Sequence, residues 1–200
     1  MSPERLLLAT TSGDKIREYR EIFGNLPLEL VAPPEIGLSL RVEETGSTFR
    51  ENAELKARAY WQARGLPSLA EDSGFEVEAL GGAPGVHSAR WAGEDYARKN
   101  RLILERLAGL KGAARRCRYV CEIALIGPDG RLFRARGELV GRVAGEPAGS
   151  GGFGYDPIFY LPRLRRTLAQ LGAEQKNALS HRGRAARKIR PIIERLLLGQ

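Results

Sequence analysis

Short apolar runs alternate with amphipathic helical segments in the first part of the chain. A run at residues 5–9 precedes helical spacing over 14–23, and a second run at 29–32 precedes a helix that begins at the capping box Thr48–Glu51. Gly65 and Pro67 end that helix. Buried strands that alternate with helices usually pair in parallel, with the helices on the sheet faces. The alternation therefore predicts an α/β fold.

The rest of the chain adds antiparallel strands to this pattern. We predict short strands at 68–71 and 75–80 around a tight turn at Ser73-Gly74, and then a helix near 94–108. Alternating residues at 115–127, a turn at 128–130 and a return strand at 131–143 form a hairpin. A strand at 157–160 and a helix at 181–198, kinked by Pro191, complete the prediction of a mixed sheet.

Composition favours a single enzyme-sized domain over residues 1–200. The 200 residues are 42% hydrophobic, enough to bury one core, and neither a repeat nor a long linker divides them. We expect no transmembrane helix, because no apolar run reaches the roughly 18 residues that one needs. The first residues lack the apolar stretch of a signal peptide. With Cys117 and Cys121 predicted to be buried thiols, we expect a cytoplasmic protein.

The charge points to a polyanionic partner. The formal net charge is +8 and the pI about 9.9, which suits a nucleotide, a nucleic acid or an anionic lipid without choosing among them. An RNA-binding module would need exposed aromatic residues interleaved with arginine. Aromatic residues make up 7% of the chain and do not cluster with its basic runs. We therefore expect no stable nucleic-acid partner.

The first candidate site is the segment from Thr10 to Lys15, between a strand and a helix. Backbone amides at a helix start, small hydroxyl residues and a lysine are suited to binding phosphate. The spacing is not that of a Walker A loop. An ordinary helix cap followed by a solvated lysine is the alternative.

Two acidic pairs form the second candidate. Glu43-Glu44 lies in a loop and Glu71-Asp72 at a strand end. One or two carboxylates that leave room for water and phosphate oxygens are what Mg²⁺ prefers. Solvated acids are the alternative, but the apolar strand before Glu71 favours an oriented pair.

Two further candidates lie later in the chain. The glycine-rich segment 149–156 allows close approach of the backbone to a ligand, with Phe153 as a stacking surface and Asp156 as an acceptor. Lys176 and the sequence Ser180 to Gly183 add basic groups near a helix start. A flexible turn and ordinary surface charge are the respective alternatives. His181 has no second histidine nearby, which argues against zinc.

The motifs resemble those of the inosine triphosphate pyrophosphatase family, in the family's order from residue 9 to residue 183. They read ATTSGDK, EETGSTFRENAELKAR, LAEDSG, LGGAPGVHSARWAG, GGFGYDPIF and SHRG. The resemblance implies an elongated α/β fold with a mixed sheet flanked by helices, two lobes with a central cleft, and a homodimer. It also implies Mg²⁺-dependent hydrolysis of ITP, dITP and XTP to the monophosphate and pyrophosphate, which clears them from the nucleotide pool.

The resemblance also assigns roles to individual residues. Asp72 is implied as a metal ligand and as the base that activates water, Glu43 as the second metal ligand, and Lys15 as a catalytic contact to the triphosphate. The implied substrate contacts are Thr10, Thr11, Ser12, Gly13, Asp14, Lys15, Ser73, Phe153, Gly154, Tyr155, Asp156, Lys176, His181 and Arg182. Ser12 replaces the family's asparagine, and its hydroxyl has a shorter reach.

Base selectivity is expected from a donor in the His181–Arg182 region, because a 6-keto purine accepts a hydrogen bond where adenine donates one. A related pyrophosphatase that acts on pyrimidine or other modified nucleotides is the alternative enzyme.

Overall fold

The computed structural model describes residues 4–199, which form a seven-stranded sheet and five α-helices. The strands are β1 (Glu4–Leu8), β2 (Leu28–Val31), β3 (Ser68–Val77), β4 (Arg116–Ile126), β5 (Leu132–Val143), β6 (Phe159–Leu161) and β7 (Arg166–Thr167). The helices are α1 (Gly13–Phe23), α2 (Phe49–Arg64), α3 (Tyr96–Arg106), α4 (Ala173–Leu179) and α5 (His181–Ile193).

The sheet is open and mixed, with strand order β2-β1-β3-β4-β5-β6-β7. Strand β1 lies parallel to both β2 and β3, whereas β6 lies antiparallel to β5 and β7. The predicted α/β class with a mixed sheet is confirmed. By its internal contacts the chain divides into two compact units.

Unit 1 comprises, among the described residues, 4–72, 121–137 and 182–199. Leu6 and Leu8 pack in one apolar cluster with residues of α1 and α5, and Leu7 packs in another with residues of α2. Strand β1 is therefore buried on both faces, which explains its uninterrupted apolar run. Helix α2 begins at the predicted capping box, in which Thr48 accepts from the Glu51 backbone N–H.

Unit 2 comprises residues 73–120 and 138–181. Its core is built around aromatic rings: Phe75 stacks on Tyr155 with centroids 4.9 Å apart, and Tyr119 stacks on Phe159 at 4.8 Å. Such pairs add to the stabilisation that burial alone provides.

Three sequence predictions about local structure were wrong or incomplete. The turn at Ser73-Gly74 does not exist, because β3 runs without interruption from Ser68 to Val77 and pairing within the sheet outweighs the turn preference of the dipeptide. Helix α5 contains Pro191 but ends at Ile193, where a π-helical turn follows. Strand β7 and helix α4 were not predicted.

The state of the cysteines agrees with the sequence prediction. Cys117 and Cys121 are both buried and free. Among residues 4–199, no helix is long and apolar enough to cross a membrane.

Candidate active site

The segment Thr10 to Lys15 links the end of β1 to the start of α1. Ser12 is the N-cap: its Oγ accepts from the Lys15 backbone N–H at 3.5 Å, while its own N–H donates to Thr10 Oγ1 at 3.2 Å. Thr11 and Gly13 are exposed and Asp14 is half-buried. The helix start thus presents small residues beside the carboxyl end of a parallel strand, a common position for anion binding.

A buried ion pair joins β3 to the start of α5. Glu71 and Arg182 are 2% and 1% exposed, and two guanidinium nitrogens of Arg182 meet the two Glu71 oxygens at 2.6 and 2.7 Å. The third nitrogen, Nη1, donates to Glu18 of α1. Two-point contact of this kind holds the guanidinium in one orientation.

Lys15 also contacts this ion pair. Its Nζ lies 3.1 Å from Glu71 Oε1, and the Tyr19 hydroxyl donates to Glu71 Oε2 at 2.6 Å. Burial alone would raise the pKa of Glu71, but Arg182 and Lys15 together hold it well below its usual range. Glu71 is therefore a fixed negative charge that remains paired with Arg182 if Lys15 turns to a ligand.

Asp72 follows Glu71 directly but has a different environment. It is 6% exposed, accepts from Asn52 Nδ2 at 3.2 Å, and lies 3.4 Å from Lys56 Nζ. Burial raises the pKa of Asp72, although Lys56 and Lys15 oppose the shift. The environments of two adjacent carboxyl groups thus move their pKa values in opposite directions, as in many acid–base sites.

The surroundings of Lys56 test whether a divalent cation fits here. Its ammonium group contacts Glu44 Oε1 at 2.5 Å and Asp72 Oδ1 at 3.4 Å, so two carboxylates already converge on one positive centre. No group of three or more potential metal-binding side chains occurs within residues 4–199. The oxygen donors that a cation could use here are the carboxylates of Glu44 and Asp72, both in contact with Lys56.

Of the acidic loop pair, the structure brings Glu44 to this cluster. Glu43 is exposed and forms no ion pair with the part of the chain that the structure describes. Its predicted role as a metal ligand remains a prediction.

In unit 2, the glycine-rich segment is organised around Asp156. The Asp156 carboxylate accepts from the Phe153 backbone N–H at 2.8 Å and pairs with Lys176 Nζ at 2.6 Å. The same Nζ lies 4.7 Å from the centroid of the Phe153 ring. Gly152 has a φ of +68°, and a Cβ there would lie 2.1 Å from Asp156 Oδ2. Only glycine fits this position without displacing the carboxylate.

Two hydrogen bonds fix the backbone of Gly154 and Tyr155, which follow Phe153. The Tyr155 backbone N–H donates to Tyr119 Oη at 3.1 Å, and Asn100 Nδ2 donates to the Gly154 carbonyl at 3.2 Å. The His181 ring stacks on Tyr119 with centroids 4.5 Å apart. Ser73, in β3, is half-buried. The structure therefore gathers Phe153 to Asp156, Lys176 and His181 around one aromatic core in unit 2.

Sequence reasoning missed several residues of the unit 1 cluster. Asn52 and Lys56 lie one turn apart on the face of α2 that carries buried Phe49 and Ala53, so polar side chains on an otherwise apolar helix face were the available signal. Glu18 gave no such signal. Arg182, predicted to contact the base, donates from all three guanidinium nitrogens to carboxylates of unit 1.

These features define an α/β protein with an open mixed sheet, a helix-start loop after its first strand, and a buried carboxylate–guanidinium pair beside a strand aspartate. The chain belongs to the Ham1 family, whose model matches residues 6–192. The resemblance seen in the motifs is thereby confirmed.

Relatives of known name and solved structures agree with this assignment. The chain is 49% identical to a dITP/XTP pyrophosphatase of Symbiobacterium thermophilum, over 92% of each protein, and 45% identical to one of Thermus thermophilus, over 92% of this chain and 89% of the relative. It is similar to the Ham1 protein of Staphylococcus aureus, with a TM-score of 0.84 and 39% identity over 96% of this chain and 98% of that one. A HAM1 protein of Coxiella burnetii gives a TM-score of 0.85 and 39% identity over 95% and 98%.

Proposed function

We propose that this protein hydrolyses non-standard purine nucleoside triphosphates, namely ITP, dITP and XTP, to the monophosphate and pyrophosphate. The names of relatives that share 49% and 45% of its residues over most of their length support this activity. The reaction removes such nucleotides from the pool. Its chemistry requires attack by water at the α-phosphorus while pyrophosphate leaves.

The observation that carries the proposal is that the pKa values of Glu71 and Asp72 are shifted in opposite directions. Glu71 is kept ionised by Arg182 and Lys15, whereas burial raises the pKa of Asp72. A carboxylate with a raised pKa accepts a proton from attacking water more readily. Lys15 binds the phosphate oxygens together with backbone amides of the Thr10 to Asp14 segment.

Asp72 and a carboxylate of the Glu43-Glu44 pair would hold Mg²⁺. The ion would offset the negative charge on the phosphate oxygens. Lys56 contacts both Glu44 and Asp72, so this lysine keeps the two carboxylates close together.

The glycine-rich segment and its neighbours bind the base in this proposal. Phe153 stacks on the purine, and Asp156 and Lys176 hold the stacking segment in shape. The donor to the 6-keto oxygen is assigned to His181 rather than to the Arg182 side chain, because the nitrogens of that guanidinium already donate to carboxylates. We also propose that the protein is cytoplasmic and acts as a homodimer. Light scattering tests the dimer by measuring the mass of the assembly.

A substrate panel tests the activity. The protein is incubated with ITP, dITP, XTP, ATP, GTP, CTP and UTP, with Mg²⁺ or with EDTA, and both pyrophosphate and orthophosphate are measured. We expect pyrophosphate, with Mg²⁺ only, and faster from the 6-keto non-standard purines than from ATP. Orthophosphate as the product, or a preference for pyrimidine nucleotides, contradicts the proposal.

A further inference from the structure

An open surface cavity lies within unit 2, lined by residues other than those of the candidate active site. Its volume is about 610 Å³, within the range of roughly 300–1,000 Å³ of small-molecule pockets. Its lining includes Lys111, Arg115, Arg142 and Tyr160, and Glu146 as its one acidic residue. Arg142 and Tyr160 are directly opposite in the β5–β6 pairing, so their side chains share a face of the sheet.

Arg115 gives this cavity a fixed positive charge. Its Nε donates to the Val143 carbonyl at 2.8 Å, and its Nη1 donates to the carbonyls of Leu107 at 3.0 Å and Leu110 at 3.4 Å. Nη2 donates to the Ala144 carbonyl. Carbonyl groups orient the guanidinium without cancelling its charge, and no carboxylate of residues 4–199 forms an ion pair with it.

Lys111 and Arg142 add two cations whose side chains are exposed. Neither forms an ion pair with any other residue that the structure describes. Another arginine of unit 2 does form an ion pair: Arg118 pairs with Glu76 at 2.5 Å. Three cations around one cavity thus face a single carboxylate, which creates a positive potential that a polyanion would satisfy.

We propose that this cavity is a second anion-binding site, for a phosphate-type ligand that carries two or more negative charges. Arg115 supplies a fixed positive charge at its wall, and Lys111 and Arg142 close on the phosphate oxygens by charge-assisted hydrogen bonds. None of the lining residues belongs to the candidate active site, so the ligand need not be the substrate. Orthophosphate and pyrophosphate share the required chemistry.

Calorimetric titration tests the site. Orthophosphate and pyrophosphate are titrated, in EDTA and at low ionic strength, into the wild type, Lys15→Ala, Lys111→Ala/Arg142→Ala, and the control Arg98→Ala/Arg101→Ala. The control removes two exposed arginines of α3 and so changes the net charge equally. Nucleotide turnover is measured in the cavity and control variants.

We expect Lys15→Ala to retain one saturable site per chain, and the cavity variant to bind at that site at least about tenfold more weakly, as expected for lost charge-assisted bonds. The control should bind as the wild type does, and turnover should persist in the cavity variant. No saturable binding in Lys15→Ala, unchanged binding in the cavity variant, or an equal loss in the control overturns the proposal. Loss of turnover in the cavity variant, with turnover kept in the control, would also overturn it, because these cations would then act in catalysis.

Discussion

The guanidinium of Arg182 and the carboxylate of Glu71 form a two-point ion pair, with Nη2 2.6 Å from Oε1 and Nε 2.7 Å from Oε2. The two residues are 111 positions apart in the chain. Glu18 binds the remaining nitrogen, Nη1, so the pair connects helices α1 and α5 to the strand that carries Asp72. Because these charges are buried, removal of one of them leaves its partners buried without full compensation.

Arg182→Ala should therefore destabilise the protein. It leaves Glu71 and Glu18 buried without their main partner, and removing one member of a buried pair costs about 3–5 kcal/mol. Urea unfolding measures the change, with Arg184→Ala, at an exposed position of the same helix, as the control. A loss below about 1 kcal/mol, the level of a surface pair, would show that the buried pair contributes little to stability.

Much of the fold follows from local patterns. The apolar run around Leu7 predicts a strand buried on both faces, the Thr48–Glu51 box predicts the start of α2, and alternation around the 128–130 turn predicts the hairpin. Each of these signals is carried by residues close together in the chain. The continuity of β3 was not predictable in this way, since it depends on pairing with strands from distant parts of the chain.

Sequence motifs predicted which segments form the site, but not which residues contact one another there. Motif order located Lys15, Asp72 and Phe153, but the partners of Arg182 come from distant elements. Which acid of the Glu43-Glu44 pair joins the cluster depends on its ion pair with Lys56, which lies on helix α2. These contacts are determined by packing and charge in the folded protein, so the spacing of residues in the sequence does not reveal them.

Asp72→Asn should reduce turnover by at least about a hundredfold, the scale on which a general base contributes. It should also raise the melting temperature of the metal-free protein at neutral pH. Burial raises the folded-state pKa of Asp72, so its contribution to stability is full at low pH and is lost as pH rises through that pKa. The stability gain should accordingly shrink on acidification.

Steady-state turnover and thermal melts over a pH series measure both effects. Glu105→Gln, at an exposed position of α3, is the control for removing one carboxylate. A variant that keeps more than about a tenth of wild-type turnover at saturating Mg²⁺ would exclude Asp72 as base and as metal ligand.

Lys15→Ala should weaken catalysis without unfolding the protein. Glu71 keeps Arg182 and Tyr19 as partners, so its charge remains compensated. Loss of a charge-assisted bond to the triphosphate is worth about 1.5–3 kcal/mol, roughly ten- to a hundredfold, and should raise KM and lower kcat together. Arg17→Ala, exposed on the same helix, is the control. Wild-type kinetics for Lys15→Ala would leave the segment a plain helix cap.

Gly152→Ala should disrupt the glycine-rich segment. The added methyl group would lie 2.1 Å from Asp156 Oδ2 and 3.0 Å from Lys176 Nζ, at a backbone φ of +68°. Asp156 would have to move away from Lys176, so KM for ITP should rise, and strain at this φ should also lower the free energy of unfolding. Gly109→Ala, at a φ of +81° and with nothing within 4 Å of an added Cβ, is the control matched for backbone strain. Equal kinetics for the two variants would show that the Asp156–Lys176 pair does not shape the site.

Phe153→Ala tests how the base is held, separately from how it is chosen. Stacking on an aromatic ring is worth about 1–3 kcal/mol per base and does not depend on the identity of the purine. Turnover of ITP, XTP and ATP should therefore fall by similar factors, and the ratio of kcat/KM for ITP over ATP should stay near that of the wild type. His181→Ala is the comparison, because a donor aimed at the 6-keto oxygen is what separates the two bases, and its loss should lower that ratio. His181 also stacks on Tyr119, so His181→Phe, which keeps a ring but donates no hydrogen bond, guards against a purely structural effect. A collapsed ratio in Phe153→Ala together with an unchanged one in both His181 variants would reverse the two roles.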